Sequence, residues 1–518
     1  MVIVRRCAVL LAASVGIAVG QEPGGKPVPA PGAPAPGTAV VVPVDAEADQ
    51  RGWPVRALQL EDALRVGRAS NVGLRAAEVL PMQARLDIAF AEAAFIPELY
   101  AAGGYAEGQS PARNAFSPSL ESTTVDGELG WRQRVITGGL FDLAFRPARY
   151  QSSGSAAFPD KQYTAEWVAS FRQPLLRSAW TDYTLAPITA ARYQQNQAAQ
   201  GFERTVQDTL LQIVQAYWEL VFARESWRVG ESSLAVAVEQ LRITDERIRV
   251  RELAPRDRIA DEAEVARRRE ELIRAENTIR AREDDLRRLL FDASDAQLWK
   301  CNLRPTSEIA VPLRTGEIAF EPLVTVAAEH RPDLRAQRSA VAAAEVVLMQ
   351  ADRDTLPNLD LVASYSADGV RDHFDDSFHD ASDQQYPDWA LRLEFSIPLG
   401  NQAAHSRWQR AALEVERQRR LLHSLTLDVT AEIRDATRNL TSLAESIVAG
   451  TESVRLATSN LETERVKLRV GSSTAFEVQR RNQDLNEAKS RLLRNQLDYR
   501  VAESRLLHAQ GLLRAPED

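Results

Sequence analysis

Two periodicities divide this chain. Over most of its length apolar residues recur every three to four positions, in runs far longer than an ordinary helix. Leu210, Val214, Tyr217 and Val221 share one face of a helix predicted over about 186–250, and Ile433, Ala436, Leu440 and Leu443 share one over about 403–470. The same spacing predicts medium helices over about 70–95, 256–291, 332–355 and 475–512. At 1.5 Å per residue, a helix of about 65 residues is roughly 97 Å long, and two medium helices placed end to end nearly match it. Matched tracks of that length suit the wall of a tube better than a globule, whose helices average three to four turns.

Between the medium and long helices the period drops to two. Trp389, Leu391, Leu393, Phe395 and Ile397 alternate with Arg392, Glu394 and Ser396, and Tyr163, Ala165, Trp167, Ala169 and Phe171 alternate with Thr164, Glu166, Ser170 and Arg172. Weaker runs follow Leu99 to Tyr105 and Leu359 to Tyr365. Runs of about ten residues with terminal aromatics fit tilted membrane strands, lipid on one side and water on the other. The same alternation also fits a soluble antiparallel sheet with one covered face.

The order of elements occurs twice. Leu74-Arg75-Ala76 answers Leu334-Arg335-Ala336, and Tyr105 answers Tyr365, each 260 residues on. Phe171 to Leu175 answers Phe395 to Leu399 at 224, and Leu220, Ala237, Val250 and Leu286 answer Leu440, Ala457, Val470 and Leu506 at 220. An ordered set of offsets signals internal duplication, with a first repeat at 57–295 (strands about 98–173), a connection at 296–320 and a second repeat at 321–515 (strands about 358–399). The first repeat carries about 36 extra residues between Tyr105 and Phe171, with an alternating pair about 123–150 around Thr137-Gly138-Gly139. That pair is either a further up-down hairpin of the wall or a hairpin folded outside it.

Composition changes the picture at the N-terminus. Arg5 and Arg6 followed by an apolar run to Val19 are expected to form a signal peptide over 1–20. Residues 21–56 are rich in Pro, Ala and Gly and are expected to form a flexible tether. Beyond the signal only Cys301 remains, which excludes an internal disulfide framework. A net charge of -9 sets nucleic-acid binding aside. The signal peptide's apolar run is about five residues too short to span a bilayer as a helix, and no other segment has the apolar length of a transmembrane helix, so insertion into a membrane must come from strands.

No phosphate-cradling loop, zinc-spaced His pair or nucleophile elbow occurs, so neither an enzyme nor a cofactor or metal site is expected. The Asp-rich stretch from Asp368 to Asp388, with His373 and His379, lacks calcium-loop spacing and is expected to be a solvated external loop.

From about 57 to 515 the chain resembles the TolC-like outer-membrane efflux proteins. The likeness rests on Leu60-Glu61-Asp62-Ala63-Leu64 with Asn71 to Leu74, on Gln173 to Leu176, and on Arg469 to Ser473 with Phe476-Glu477-Val478. It implies a mainly α fold with a membrane β-barrel portion. Duplicated long-helix hairpins would form an α-barrel tunnel, and each chain of a homotrimer would give four strands to one shared barrel. Six strands per chain, if the extra hairpin joins, would make about eighteen. It also implies a passive exit duct in the outer membrane of a Gram-negative-type cell, with a periplasmic tunnel, serving a tripartite efflux or type I secretion system. The partners implied are a periplasmic adaptor (membrane fusion) protein, an inner-membrane pump and outer-membrane lipid. The alternative is a soluble periplasmic coiled-coil scaffold or adaptor.

The resemblance further implies a periplasmic gate at the helix turns. Glu477 follows Gly471 by six residues, and Asp257 stands 220 residues before it. Rings of like charge in a narrow pore attract cations, although acids are also favoured at helix N-termini by the dipole alone. Arg249, Val250, Leu253, Val470, Gly471 and Ser472 would be the adaptor-docking tips. Arg251 stands where the second repeat has Gly471, and is expected to demand a different turn.

Overall fold

The computed structural model describes residues 44–48, 54–110, 120–153, 161–252, 254–292, 298–309, 316, 318–470 and 472–516. The expected signal peptide and the tether up to residue 43 lie outside the described residues.

The first repeat runs α1 (Leu60–Ser70), α2 (Val72–Glu92), four strands, α3 (Thr181–Arg249) and α4 (Asp257–Leu290). The second runs α5 (Glu321–His330), α6 (Pro332–Arg353), two strands, α8 (Gln402–Arg469) and α9 (Ala475–Ala509). At 69 and 68 residues, α3 and α8 each extend about 100 Å. Their apolar stripes are the buried ones: Leu210, Ile213, Val214, Tyr217, Leu220 and Val221 on α3, and Val429, Ile433, Leu440, Ala444 and Ile447 on α8. Each large aliphatic among them contributes roughly 1.5–3 kcal/mol by leaving water.

Contacts repeat with the sequence offsets. The Asn71 side-chain amide donates to the Leu289 carbonyl at 2.9 Å, and the Arg331 guanidinium donates to the Ala509 carbonyl at 3.0 Å. Asn71 and Arg331 are 260 residues apart, Leu289 and Ala509 220. One contact is therefore made twice with different chemistry. Gly67 lies so close to Ile213 that an added Cβ would overlap its Cδ1, and at the corresponding places Ala327 and Ile433 are core neighbours.

About midway along α3 a small sheet joins the repeats. β1 (Val44–Ala48) runs antiparallel to β2 (Pro54–Leu58), and β2 runs parallel to β7 (Asn302–Pro305). Tyr217 fixes it to α3 by donating to the Leu58 carbonyl at 3.0 Å. Strands thus occupy 44–48 and 54–56, where the composition suggested tether, because the pairing partner β7 is distant in sequence.

The main sheet has six strands in the order β3 (Glu98–Ser110), β4 (Leu120–Arg134), β5 (Leu140–Ser153), β6 (Lys161–Pro174), β8 (Asn358–Arg371), β9 (Pro387–Ser396), all antiparallel. The extra pair of the first repeat, β4 and β5, lies in the middle of this sheet. Its turn is at the helix end: Gly138 has φ +86, and a Cβ there would overlap the Ser178 carbonyl. Gln173 donates to the Thr137 carbonyl at 2.9 Å and accepts from the Thr137 hydroxyl, tying the turn to β6.

Residues 374–382, expected to be solvated loop, form helix α7 (Phe374–Ser382). It lies on the far end of the sheet, Phe374 against Tyr163 and Phe378 against Phe145. Ser377, Asp380 and Ala381 are buried there, and Arg371 pairs with Asp380. Docking is possible because the strands beneath present Gly369, Ala165 and Pro147 in one row. Among the described residues no group of three or more His, Cys, Asp or Glu converges as a metal site.

The left-handed tip of α3 corrects the expectation for Arg251. This residue has φ 61, the conformation a glycine would take, within a helix-ending turn where the Arg251 N–H donates to the Ile248 carbonyl and the Glu252 N–H to the Arg247 carbonyl. In the second repeat the Ser472 N–H donates to the Lys467 carbonyl, the same bond 220 residues on. The turn is retained because its two hydrogen bonds outweigh the strain of a side chain at positive φ.

Two outcomes follow for stability. Gly369→Leu is expected to displace α7 at a cost of about 1–3 kcal/mol of overpacking, and limited proteolysis between 372 and 386 should become several-fold faster; unchanged cleavage would count against the docked helix. Arg251→Gly removes about 1–2 kcal/mol of left-handed strain against about 0.5–1 kcal/mol of glycine entropy. Thermal unfolding should therefore rank the Arg251→Gly variant at or above the parent, and a β-branched Arg251→Val variant below it.

Candidate functional site: a two-faced wall and its helical tips

Pleating sorts the sheet into two chemically distinct faces. Residues paired across neighbouring strands share a face, so Leu99, Trp131, Leu143, Ala169, Tyr365 and Trp389 form one continuous row. Parallel rows add Leu129, Phe145 and Trp167, then Phe141, Phe171 and Leu391. The rows are most exposed at the sheet's two edges, where Leu99 is 76% exposed, Trp389 73% and Leu391 65%, while Trp131, Phe145 and Trp167 between them are half-buried; together they make a larger apolar patch than a water-facing surface carries.

The opposite face carries ion pairs. Arg132 meets Asp142 at 2.9 Å, and Tyr100 donates to the same carboxylate at 3.0 Å. Arg146 meets Glu128 at 3.0 Å and Glu166 at 3.9 Å, while Arg172 bridges Asp360 and Glu394 at 2.9 and 3.1 Å. Each pair spans different strands and so fixes their register on the wet side. Strands of 10–15 residues with this partition have the length and polarity of a wall between lipid and water. Among the described residues no helix is long and apolar enough to cross a membrane.

Where the wall meets the helices, Asp354 gathers both repeats. It accepts from Arg177 at 3.2 Å and Tyr183 at 2.9 Å, and Arg407 lies at 3.5 Å. From there the helices form layers in the order α2, α3, α6, α8 next to the sheet and α4, α3, α9, α8 toward the tips. The two free sides of the chain are therefore β3, α2 and α4 on one, and β9 and α8 on the other.

At the tips Val250 and Val470 are exposed, as are Arg249 and Ser472; Leu253 and Gly471 lie outside the described residues. Phe476 and Ile259 add exposed apolar side chains beside them. The gate candidates begin the returning helices. Asp257 is the first residue of α4, with its side chain outside the described residues. Glu477 is the third residue of α9, and its N–H donates to the Thr474 hydroxyl at 3.4 Å. Thr474-Ala475-Phe476-Glu477 has the spacing of a capping box, of which the Thr474 side chain makes its half. Close by, hydrogen bonds from Ser473 and Lys467 hold the Glu464 carboxyl below its ordinary range.

A charged cluster that sequence reading missed lies among α3, α5, α6, α8 and α9. His508 is buried, 2.6 Å from Asp208 and 3.8 Å from Glu432, and Arg331 binds Asp333 and Glu432. Burial works to lower the His508 pKa, but the hydrogen bonds to Asp208 and Glu432 outweigh it and raise it. Burial likewise opposes ionisation of Glu432, yet His508 and Arg331 bring it down to about 2. Only the return of α9 brings these residues together; in sequence the histidines are scattered.

The sign of the pH effect follows. With its folded pKa above its ordinary value, His508 contributes stability that is complete below about pH 6.5 and is lost as pH rises through the raised value. Thermal unfolding followed from pH 6 to 9 should show His508→Gln losing less stability across that range than the parent; equal slopes would remove the residue from the effect.

Comparison with known proteins fits this geometry. Residues 323–512 match the family model described as outer membrane efflux protein. The outer membrane protein TolC of Vibrio cholerae is 24% identical over 348 residues, covering 66% of this chain and 76% of its own length. The Campylobacter jejuni CmeC outer membrane channel superposes with a TM-score of 0.63 at 14% identity, over 89% of this chain and 87% of that one. The open state of the Neisseria gonorrhoeae MtrE outer membrane channel gives 0.60 at 14% identity, over 88% and 90%. A wall with one apolar face and one charged face, carried on duplicated long-helix pairs, is the architecture of an outer-membrane channel; residues 323–512 carry the outer membrane efflux protein model, and the chain is similar to the TolC-like channels in fold along most of its length.

Proposed function

We propose that three copies of this chain form the exit duct of a tripartite export system, spanning the outer membrane by the sheet and the periplasm by the helices. The observation that carries the reading is the pair of unlike free sides: β3 and α2 on the first repeat, β9 and α8 on the second. Unlike sides associate head to tail, and such contacts close into rings. Exposed apolar residues mark both sides, including Phe90 and Leu86 on α2 and Leu413 and Leu427 on α8. Channels of this family work with an adaptor and an inner-membrane pump. The tips at Arg249, Val250, Leu253, Val470, Gly471 and Ser472 would dock the adaptor, and Val250 and Val470 supply exposed apolar side chains for it. Glu477 and Asp257 would line the closed end of the tunnel. A soluble scaffold would leave the apolar face of the sheet in water, which disfavours that alternative.

Purified from membranes, the protein is expected to run as a trimer and to conduct in a planar bilayer. Glu477→Ala with Asp257→Ala should raise conductance several-fold. A soluble monomer would overturn the duct, whereas a conducting trimer indifferent to both substitutions would overturn only the gate.

A further inference from the structure

We infer that the assembled barrel has eighteen strands and continues the helical tunnel at nearly constant bore, so that the barrel does not limit what passes. This rests on the trimeric duct proposed above. The occupant of each free sheet edge is a second copy of this chain.

Three copies of a six-stranded sheet contribute eighteen strands. The count permits closure without a mismatch. Strand β3 leaves the helix end and β9 returns to it, so β9 of one copy and β3 of the next are antiparallel, as every other neighbouring pair is. β4 and β5 cannot be removed from this count as an appended hairpin. β4 pairs with β3 over thirteen positions, from Glu98 with Arg132 to Ser110 with Leu120, and β5 pairs with β6 over twelve, from Leu140 with Arg172 to Gln151 with Lys161. Their faces also match the wall on either side: Leu129 and Leu143 lie on the apolar face, Glu128 and Asp142 on the charged one.

Circumference supports the same number. Strands about 4.8 Å apart and tilted about 40° give roughly 75 Å for twelve and roughly 113 Å for eighteen. Each helical layer holds four helices per chain, and twelve helices at about 8–10 Å spacing need roughly 96–120 Å. Eighteen strands meet that ring edge to edge. Twelve would require the passage to narrow by about a third at the membrane. The corresponding backbone radii are about 18 and 12 Å, leaving free radii of about 13 and 7 Å once inward side chains are subtracted.

Two measurements on the full-length protein test this. In outer-membrane vesicles, a membrane-impermeant maleimide should label Glu128→Cys and spare Leu129→Cys, since the only other cysteine outside residues 1–20, Cys301, is buried. In planar bilayers, a neutral polymer of about 10 Å radius added from the external side should enter the mouth and lower the current. Equal labelling of both positions, or exclusion of that polymer from a conducting trimer, would overturn the eighteen-stranded barrel and leave the duct intact. A protein that neither trimerises nor conducts would overturn the duct itself, and this inference with it.

Discussion

The rest of the structure depends on one constraint: in hydrocarbon every backbone N–H and C=O must find a partner within protein. Among sheets, only a closed one does this at every strand. The six-stranded sheet satisfies the constraint internally at five junctions and leaves β3 and β9 open. An open edge in lipid costs several kcal/mol for each unsatisfied group, so the chain cannot insert stably alone. The helical layers inherit the requirement. Because each repeat's strands lead directly into its helices, closing the sheet in the proposed trimer would also bring α2 and α4 against a neighbour's α8.

Duplication gives the scaffold its regularity and also shows where the copies have parted. Gly230 sits over Leu272 in the first repeat as Gly450 sits over Leu492 in the second, so close packing of the long helices is preserved. Elsewhere the same position has taken new chemistry. Asn71 holds a carbonyl with a neutral amide that also caps α2, whereas Arg331 holds its counterpart with a charge that gathers Asp333 and Glu432 around it. The buried histidine of that cluster has Arg288 as its counterpart, which is exposed and pairs with Asp285.

Much of this was legible in the sequence because it is periodic. The stripe through Leu210, Val214 and Tyr217 announces α3, and alternation around Trp389 announces β9, since each pattern is local and repeated many times. The extra hairpin was visible as an alternating pair, but its place in the wall depends on pairing with β3 and β6, which local pattern does not encode. Helix α7 was missed for a related reason. Its nine residues look solvated by their aspartates, and only the flat row of Gly369, Ala165 and Pro147 beneath makes a site for Phe374 and Phe378. At the tips, substitution of a glycine by Arg251 suggested a different turn, whereas the carbonyls of Arg247 and Ile248 still dictate the old one. Glu477 illustrates the opposite difficulty, because a capping position and a pore position favour the same residue type.

The charged face of the sheet is unevenly composed along its length. Near the helices Glu98, Asp142, Asp360 and Glu394 are balanced by Arg132, Arg134, Arg172 and Arg392. Farther out Asp126, Glu128, Glu166, Asp368 and Asp388 share the face with Arg146. A wall that is neutral at its inner end and acidic at its outer end sets up an axial electric field, multiplied in a ring by every copy. Cargo carrying positive charge would descend that potential toward the exterior, while anions from outside would meet a barrier at the mouth. In the proposed ring, the outer half of the wall would bias the passage of charge without narrowing it.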